Sequence, residues 1–441
     1  MKKHLLILFA ALLPLVASAE KVEIDGIWYN LVSKVKQAEV TSSGGTKYSG
    51  SITIPATVTY NGAAYSVTSI GSSAFADCSS LTAINIPENS KLTSIESFAF
   101  AGCSNLTAIT IPEGVDSIGV YAFYCSGLTS INIPQKSKLT SIGVNVFGHC
   151  SSLTSINIPE GVTTIKGTAF EGCSSLTSIN IPKNSKLTSI ENEAFSYCSS
   201  LTSITIPKGV TKIGSGAFRY CSNLTSITLP KGVTEIEDVT FDGCSSLTSI
   251  NIPEGVTKIG IYAFLDCSSL TSITIPKGVT VIEGGAFCNC SSLTSITIPE
   301  SVTEINNGER GAFFGCSSLT TILLPKSVSY IGYNTFANCP ELLDVYCYAE
   351  TVPGTEANAF NGSYPEYATL HVPASAINSY KTTAPWSSFG TIVCLTDEDM
   401  GIEQLTTGSE QLTIYDLRGR RVDNPVKGGI YIVGGKKVII K

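Results

Sequence analysis

The chain has 441 residues, and only 14% of them are Asp, Glu, Lys or Arg, against about 25% in an ordinary globular protein. Its 28 basic and 35 acidic residues leave a formal charge of −7, which argues against a general nucleic-acid binder, since that class carries a basic footprint. Three histidines are present; His4 lies in the leader, so His149 and His371 alone remain, too few for a multi-histidine metal centre.

In chain order, residues 1–19 read as a secretory signal peptide. Lys2 and Lys3 precede an apolar stretch from Leu5 to Ala17, and Ala17-Ser18-Ala19 is a small-residue cleavage site. The stretch falls short of the ~18 apolar residues that a membrane span needs. Export to the outside or outer surface of the cell, after cleavage near Ala19 and with no transmembrane segment, is the expectation. Residues 20–66 are expected to form an N-terminal β cap, and residues 67–340 a repeat array.

The array is read from cysteine. Cys78, Cys103, Cys125, Cys150, Cys173, Cys198, Cys221, Cys244, Cys267, Cys290, Cys316 and Cys339 recur every 22–26 residues in a unit C-S-S-L-T-S-I-x-I-P-x-G-V-T-x-I-G-x-x-A-F-x-x. Longer units carry their insertion at a fixed phase, as at Ser90-Lys91-Leu92, Ser137-Lys138-Leu139 and Ser185-Lys186-Leu187, as loops between stacked coils tolerate. The shortest unit lacks one residue, placed between Phe123 and Cys125.

Within a unit, Ser-Ile-x-Ile alternates with period 2 and predicts a strand with the isoleucines on one face. The following proline has no N–H for a ladder and ends it. The glycine before Val is expected to allow a sharp turn. Val-Thr-x-Ile offers a second short strand, and Ala-Phe a turn whose ring fills the coil. One coil has nothing to bury its Leu, Ile and Phe against, so a dozen must stack into one core. The fold class expected is a β-rich solenoid of about 12 coils of 22–26 residues, a rod about 55–60 Å long, with β-rich caps.

Fifteen cysteines in an exported chain invite a disulfide framework. Equal phase argues otherwise, because parallel side chains on neighbouring coils stay near 4.8 Å apart, whereas a disulfide wants converging Cβ atoms roughly 3.5–4.5 Å apart. The twelve in-phase cysteines are therefore expected to form a buried ladder of free thiols, packing as small hydrophobes. Cys347 and Cys394 are out of phase and stand as a candidate bridge. Cys288 with Cys290 lacks the further ligands of a metal site, so no metal or cofactor is expected.

Residues 341–396 continue as a degenerate repeat and C-terminal cap, with Ala359-Phe360 keeping the pattern. Residues 397–441 form a linker and β tail. From 412 to 441 seven basic residues face Asp416 and Asp423, a net +5. Gly429-Ile-Tyr-Ile-Val433, Gly434-Gly435 and Lys436 to Ile440 predict a hairpin with a Gly-Gly turn.

The blocks L-T-S-I-x-I-P, V-T-x-I-G-x-x-A-F and C-S-S-L resemble the BspA-like leucine-rich repeat surface proteins of Bacteroidetes and some eukaryotic parasites over residues 67–340. The tail, through Tyr415-Asp-Leu-Arg-Gly-Arg-Arg-Val422 and Gly429-Ile-Tyr-Ile-Val433, resembles a type IX secretion sorting domain, although shorter. The resemblance implies attachment: a partner among host matrix proteins, host cell-surface proteins or other bacteria.

Catalysis finds little support in the residues. His149 occupies a variable slot, His371 an alternating strand where a structural role is the simpler reading, and the repeated serines have no activating base. The chain is therefore read as no enzyme. For binding, three sets stand out. The outward strand position carries Asn132, Asn157 and Asn180, as ligand contacts or as a hydrogen-bond ladder. The position after proline carries Lys183, Lys208 and Lys231, which suit an acidic partner such as a sialylated or sulfated glycan, or form a solvated edge. Residues flanking Ala-Phe vary most and collect Tyr121, Tyr124, Tyr197, Arg219, Tyr220 and Tyr262, types common in binding anchors. The function expected is a non-catalytic adhesin or interaction scaffold. A structural surface-layer protein and a secreted glycan-binding protein are the alternatives.

Overall fold

A computed structural model describes residues 19–305, 308, 310–396, 399, 404–405, 414–415, 422, 430–433 and 436–440. The expected signal peptide lies outside the described residues, apart from residue 19. Among the described residues no helix is long and apolar enough to cross a membrane.

The chain opens with antiparallel strands β1 (Glu20–Ile24), β2 (Ile27–Val32) and β3 (Gln37–Thr41). Next come β4 (Gly50–Thr53), β5 (Thr57–Tyr60), β6 (Ala63–Ile70) and β7 (Leu81–Asn85). β4 pairs in parallel with β7, aligning Ile52 with Ile84 and Thr53 with Asn85. Ser51-Ile-Thr-Ile-Pro55 is thus already a repeat strand, and the stacked columns begin at Gly50, ahead of residue 67. The antiparallel arm in which Thr57–Tyr60 pairs with 63–66 is an insertion in that first coil, and the rest of β6 is its Val-Thr-x-Ile segment, aligning Ile70 with Ile95.

The solenoid has about 14 turns, two more than the cysteine count suggests. Ser-Ile-Asn/Thr triplets stack in parallel register along one side, as Ser130, Ile131 and Asn132 do on Ala108, Ile109 and Thr110. The Val-Thr-x-Ile segments stack as two-residue strands along another, Ile142 on Ile165 and Ile165 on Ile190. Inside lies a column of phenylalanines from Phe75 to Phe360, with successive ring centroids 5.1–5.8 Å apart and planes within 2–18°. Each ring buried in this way contributes about 1.5–3 kcal/mol.

Both ends of the column are closed, as an open stack must be. Tyr48 lies on Phe75 at 4.8 Å, and its hydroxyl donates to Thr41 O and accepts from Trp28 N. Trp386 and Phe389 meet Phe360 edge-on, and Trp386 Nε1 donates to Thr355 Oγ1 at 3.0 Å.

The turn carrying Ala-Phe has a backbone that the sequence pattern does not announce. The residues two before and two after each Phe from Phe75 to Phe287, and again at Phe336, adopt positive φ: Tyr121 (59°) and Cys125 (53°) around Phe123, Glu193 (56°) and Tyr197 (59°) around Phe195. Alternating handedness turns the N–H groups of every second residue along the rod. Tyr121, Phe123 and Cys125 donate to Val144, Val146 and Gly148 of the next coil at 2.9–3.1 Å. The first coil has no predecessor to donate to its carbonyls, and Lys47 Nζ takes that role for Ala76 O at 2.6 Å.

The glycine before Val plays a different part from the one expected. Gly114, Gly161, Gly209 and Gly278 are absent from the positive-φ residues; a Cβ there would stand 2.9–3.2 Å from a carbonyl of the preceding coil. Close approach is what favours glycine at this corner, while Ser301 and Ser327 fill the same slot in two later coils.

The thiol ladder is present, with one exchange. Sγ of Cys103, Cys150, Cys173, Cys198, Cys221, Cys244, Cys267, Cys290, Cys316 and Cys339 donates to the Phe carbonyl of the preceding coil at 3.0–3.4 Å. Cys78, in the first of these coils, is directed at Ala76 O. Cys125 is not a member; it is exposed. Ser126 N donates to Phe123 O as ladder cysteines do, and Ser126 Oγ lies buried 3.3 Å from Cys150 Sγ. The missing residue therefore falls after Ser126, which moves Cys125 into the left-handed slot and Ser126 into the thiol's place.

Cys347 and Cys394 are free. Their strands Asp344–Cys347 and Thr391–Cys394 flank Thr369–Val372, which pairs with both. Two strand spacings, about 9–10 Å, exceed disulfide reach, so the candidate bridge is ruled out. In the tail, Ile430–Val433 and Lys436–Ile440 pair antiparallel; the expected Gly434-Gly435 turn lies outside the described residues.

Candidate functional site

The singled-out residues lie on two separate faces. On the Ser-Ile-Asn/Thr face, Asn132, Asn157 and Asn180 are exposed. Asn180 Nδ2 donates to Asn157 Oδ1 at 3.0 Å, and Asn85 Nδ2 to Ser51 Oγ at 3.0 Å, so at these rungs the asparagines form the hydrogen-bond ladder. Threonine hydroxyls beside them are occupied as well, Thr154 Oγ1 donating to Thr129 O and Thr177 Oγ1 to Thr154 O. Lys183, Lys208 and Lys231 are exposed along the edge of this face.

The turn side gathers the aromatics. Tyr197 and Tyr220 follow Phe195 and Phe218 by two residues, and their rings stack at 4.8 Å with planes 29° apart. Left-handed backbone at both positions (φ 59° and 54°) tilts the side chains along the rod. Tyr220 consequently covers Gly243, where a Cβ would meet its ring at 2.4 Å. Arg219 lies 4.8 Å over the Tyr220 ring, a cation–π contact worth about 0.5–1 kcal/mol at a partly exposed site. Its Nε donates to Asp242 Oδ2 at 2.8 Å.

Asp242 is buried, and its Oδ1 has no partner. Burial pushes its carboxyl above the ordinary range, and the Arg219 guanidinium works against that shift. The cluster is thus a rigid plate: two tyrosine rings and a guanidinium, tied to a carboxylate beneath.

Tyr262 does not join it. It stands two residues before Phe264, in the other left-handed column, with its ring over Gly285. A further aromatic group lies nearer the N-terminus: Phe98 stacks on Tyr121 at 4.9 Å, Tyr121 meets Tyr124 at 5.3 Å, and Tyr124 meets the His149 ring at 5.5 Å. Val120 and Val144 are exposed beside it. Phe98 was passed over, and His149 was weighed only as a catalytic residue, because the turn was read as one variable block. Aligning the positions two before and two after Phe as separate columns brings them out.

His371 stacks on Tyr346 at 4.2 Å and pairs through Nε2 with Asp344 Oδ1 at 3.0 Å, a structural contact within the cap. Ladder thiols are held protonated by burial, Cys150 pushed up to about 11 and Cys221 to about 12, which suits donors and not nucleophiles. Among the described residues no group of three or more His, Cys, Asp or Glu is placed to hold a metal ion.

Comparison with known families gives a decisive match. A family model described as the BspA type leucine rich repeat region, six copies long, matches residues 68–198, 188–309 and 262–381. The chain belongs to the BspA-type leucine-rich repeat family. Among solved structures, a leucine rich cell surface protein from Faecalibacterium prausnitzii A2-165 is 31% identical, with a TM-score of 0.51; the match covers 74% of this chain and 94% of that one. A leucine-rich repeat protein from Bacteroides ovatus ATCC 8483 is 28% identical, with a TM-score of 0.67, covering 85% of this chain and all of that one. A comparison with curated proteins returned no match. Membership places the chain among repeat proteins of protein interaction.

Proposed function

We propose that the protein is an exported, non-catalytic surface adhesin that grips a protein on a host or bacterial surface through the turn side of its solenoid. The observation that carries this reading is the rigid plate of Tyr197, Tyr220 and Arg219. It interrupts an otherwise repetitive scaffold where the outward left-handed positions leave side chains free to vary. Preorganised aromatic and arginine side chains lose little entropy on binding and make good anchors. The family match and the surface-protein neighbour agree with such a role.

The test is binding of the purified protein to immobilised fibronectin, fibrinogen and mucin glycans and to whole bacteria. Saturable binding to one protein ligand or cell type is expected, and Tyr197→Ala with Tyr220→Ala should weaken it at least tenfold. Arg219 is left in place because it neutralises Asp242. Ordered self-association without any such ligand would favour a structural surface-layer role instead. Deleting residues 402–441 is expected to abolish surface display; retained display would remove the sorting reading of the tail.

A further inference from the structure

The corner after the strand proline carries a second pattern, independent of the turn side. Along it Lys183, Lys208 and Lys231 occupy three consecutive coils, and Lys186 and Lys212 stand across the same corner. All five are exposed, and none is in an ion pair. Two other lysines of the array are paired across coils, Lys166 with Glu191 at 3.2 Å and Lys258 with Glu283 at 3.4 Å; the remaining unpaired ones do not fill three consecutive rungs of this column. Glu160 and Glu254 occupy the same column on either side, and Glu235 follows Lys212, so the cationic stretch has defined ends. It runs about 10 Å between its outer rungs. Like charges in neighbouring rungs of a parallel stack repel, and among the described residues no carboxylate forms an ion pair with them.

The adjoining strand face is of one chemical kind. Ser178 and Asn180, Ser203 and Thr205, Ser226 and Thr228 point outward and are exposed, with no charged or aromatic residue among them. We propose that this corner and its flanking face bind a linear anionic glycan, a hydroxyl-rich polymer bearing sulfate or carboxylate groups. The lysines would meet the anionic groups, and the serine, threonine and asparagine columns would meet the sugar hydroxyls. A protein partner would call for aromatic or apolar anchors at the centre of the interface, and single-stranded nucleic acid for aromatic stacking platforms. Neither is present on this face.

The full chain is titrated with a size-defined heparin oligosaccharide, a carboxylate-bearing glycan without sulfate, a neutral glycan, polyglutamate and single-stranded DNA, each at low and physiological salt. Binding to the sulfated or the carboxylated glycan, weakened by salt, is expected, and which of the two binds identifies the anionic group. The triple substitution Lys183→Gln, Lys208→Gln and Lys231→Gln should reduce affinity about tenfold, as three modest exposed contacts do, while Lys136→Gln with Lys138→Gln should leave it unchanged. These lysines are exposed, so the variants fold. Unchanged affinity in the triple variant, equal binding of polyglutamate or DNA, or no binding of either anionic glycan would overturn the proposal. The Tyr197/Tyr220 variant should bind the glycan normally, which separates this surface from the turn side.

Discussion

Replacing Cys221 by alanine and, separately, by serine asks whether the ladder thiols are packing or donors. Cys221 is fully buried at mid-array, and its Sγ lies 3.2 Å from Phe195 O. Alanine removes the sulfur and leaves a small cavity; a lost transfer term of about 1 kcal/mol plus ~24 cal/mol per Å³ of residual void gives roughly 1.5–2 kcal/mol. It also forfeits the thiol hydrogen bond, although Phe195 O keeps its partner Cys198 N at 3.2 Å. Serine loses similar apolar contact, but its hydroxyl inherits the same acceptor and recovers about 1 kcal/mol. The expected order of stability is Cys, then Ser, then Ala. A thiol acting only as a hydrophobe reverses the last two, because serine would then bury an unsatisfied hydroxyl at about 1–3 kcal/mol. Long repeat arrays need not unfold in one step, so the assay is native-state hydrogen exchange at the amides of Phe195, Phe218 and Phe241. Less protection in the serine variant than in the alanine variant would refute the donor assignment.

Three further outcomes follow from the placement of Cys125, Asp242 and Gly243. In the folded protein only Cys125 and Cys394 are exposed, so a thiol reagent at mildly alkaline pH should label two of the 15 cysteines and all of them after denaturation, as read by intact mass. The carboxyl of Asp242 is raised by burial in the folded chain, so the native state holds its proton to higher pH than the unfolded state, and its contribution to stability falls as pH rises from about 4 through the folded pKa. Asp242→Asn should flatten that slope in urea melts taken across the carboxylate range. Gly243→Ala places a Cβ 2.4 Å from the Tyr220 ring at φ 72°; it should cost about 1–3 kcal/mol and change the near-ultraviolet circular dichroism of the Tyr197–Tyr220 pair.

How much of this was legible depended on whether a residue acts inside its own coil or across the gap to the next. Strand, proline stop and inward Phe follow from period and side-chain type, and the register of Ile109 on Ile131 confirms them. The first coil was missed because the inserted antiparallel arm separates Ser51-Ile-Thr-Ile-Pro55 from the rest of its unit and no cysteine marks it. The place of Cys125 was missed because alignment on cysteine assumes that the thiol defines the phase; Phe123 defines it, since its carbonyl and ring sit in fixed columns and the deletion lies beyond Ser126. Left-handed residues two before and two after Phe were invisible for a deeper reason. Glycine normally betrays positive φ, yet here Tyr197, Glu193, Thr168 and Val239 adopt it, strained locally and held by N–H bonds to the next coil. Those bonds require only backbone, so the side chains at these positions are released from the repeat. A glycine one coil further on then receives whatever side chain arrives, as Gly243 receives Tyr220 and Gly285 receives Tyr262. Variation in this chain is therefore concentrated where the fold is held by main chain alone, and a binding surface can change there without disturbing the core beneath it.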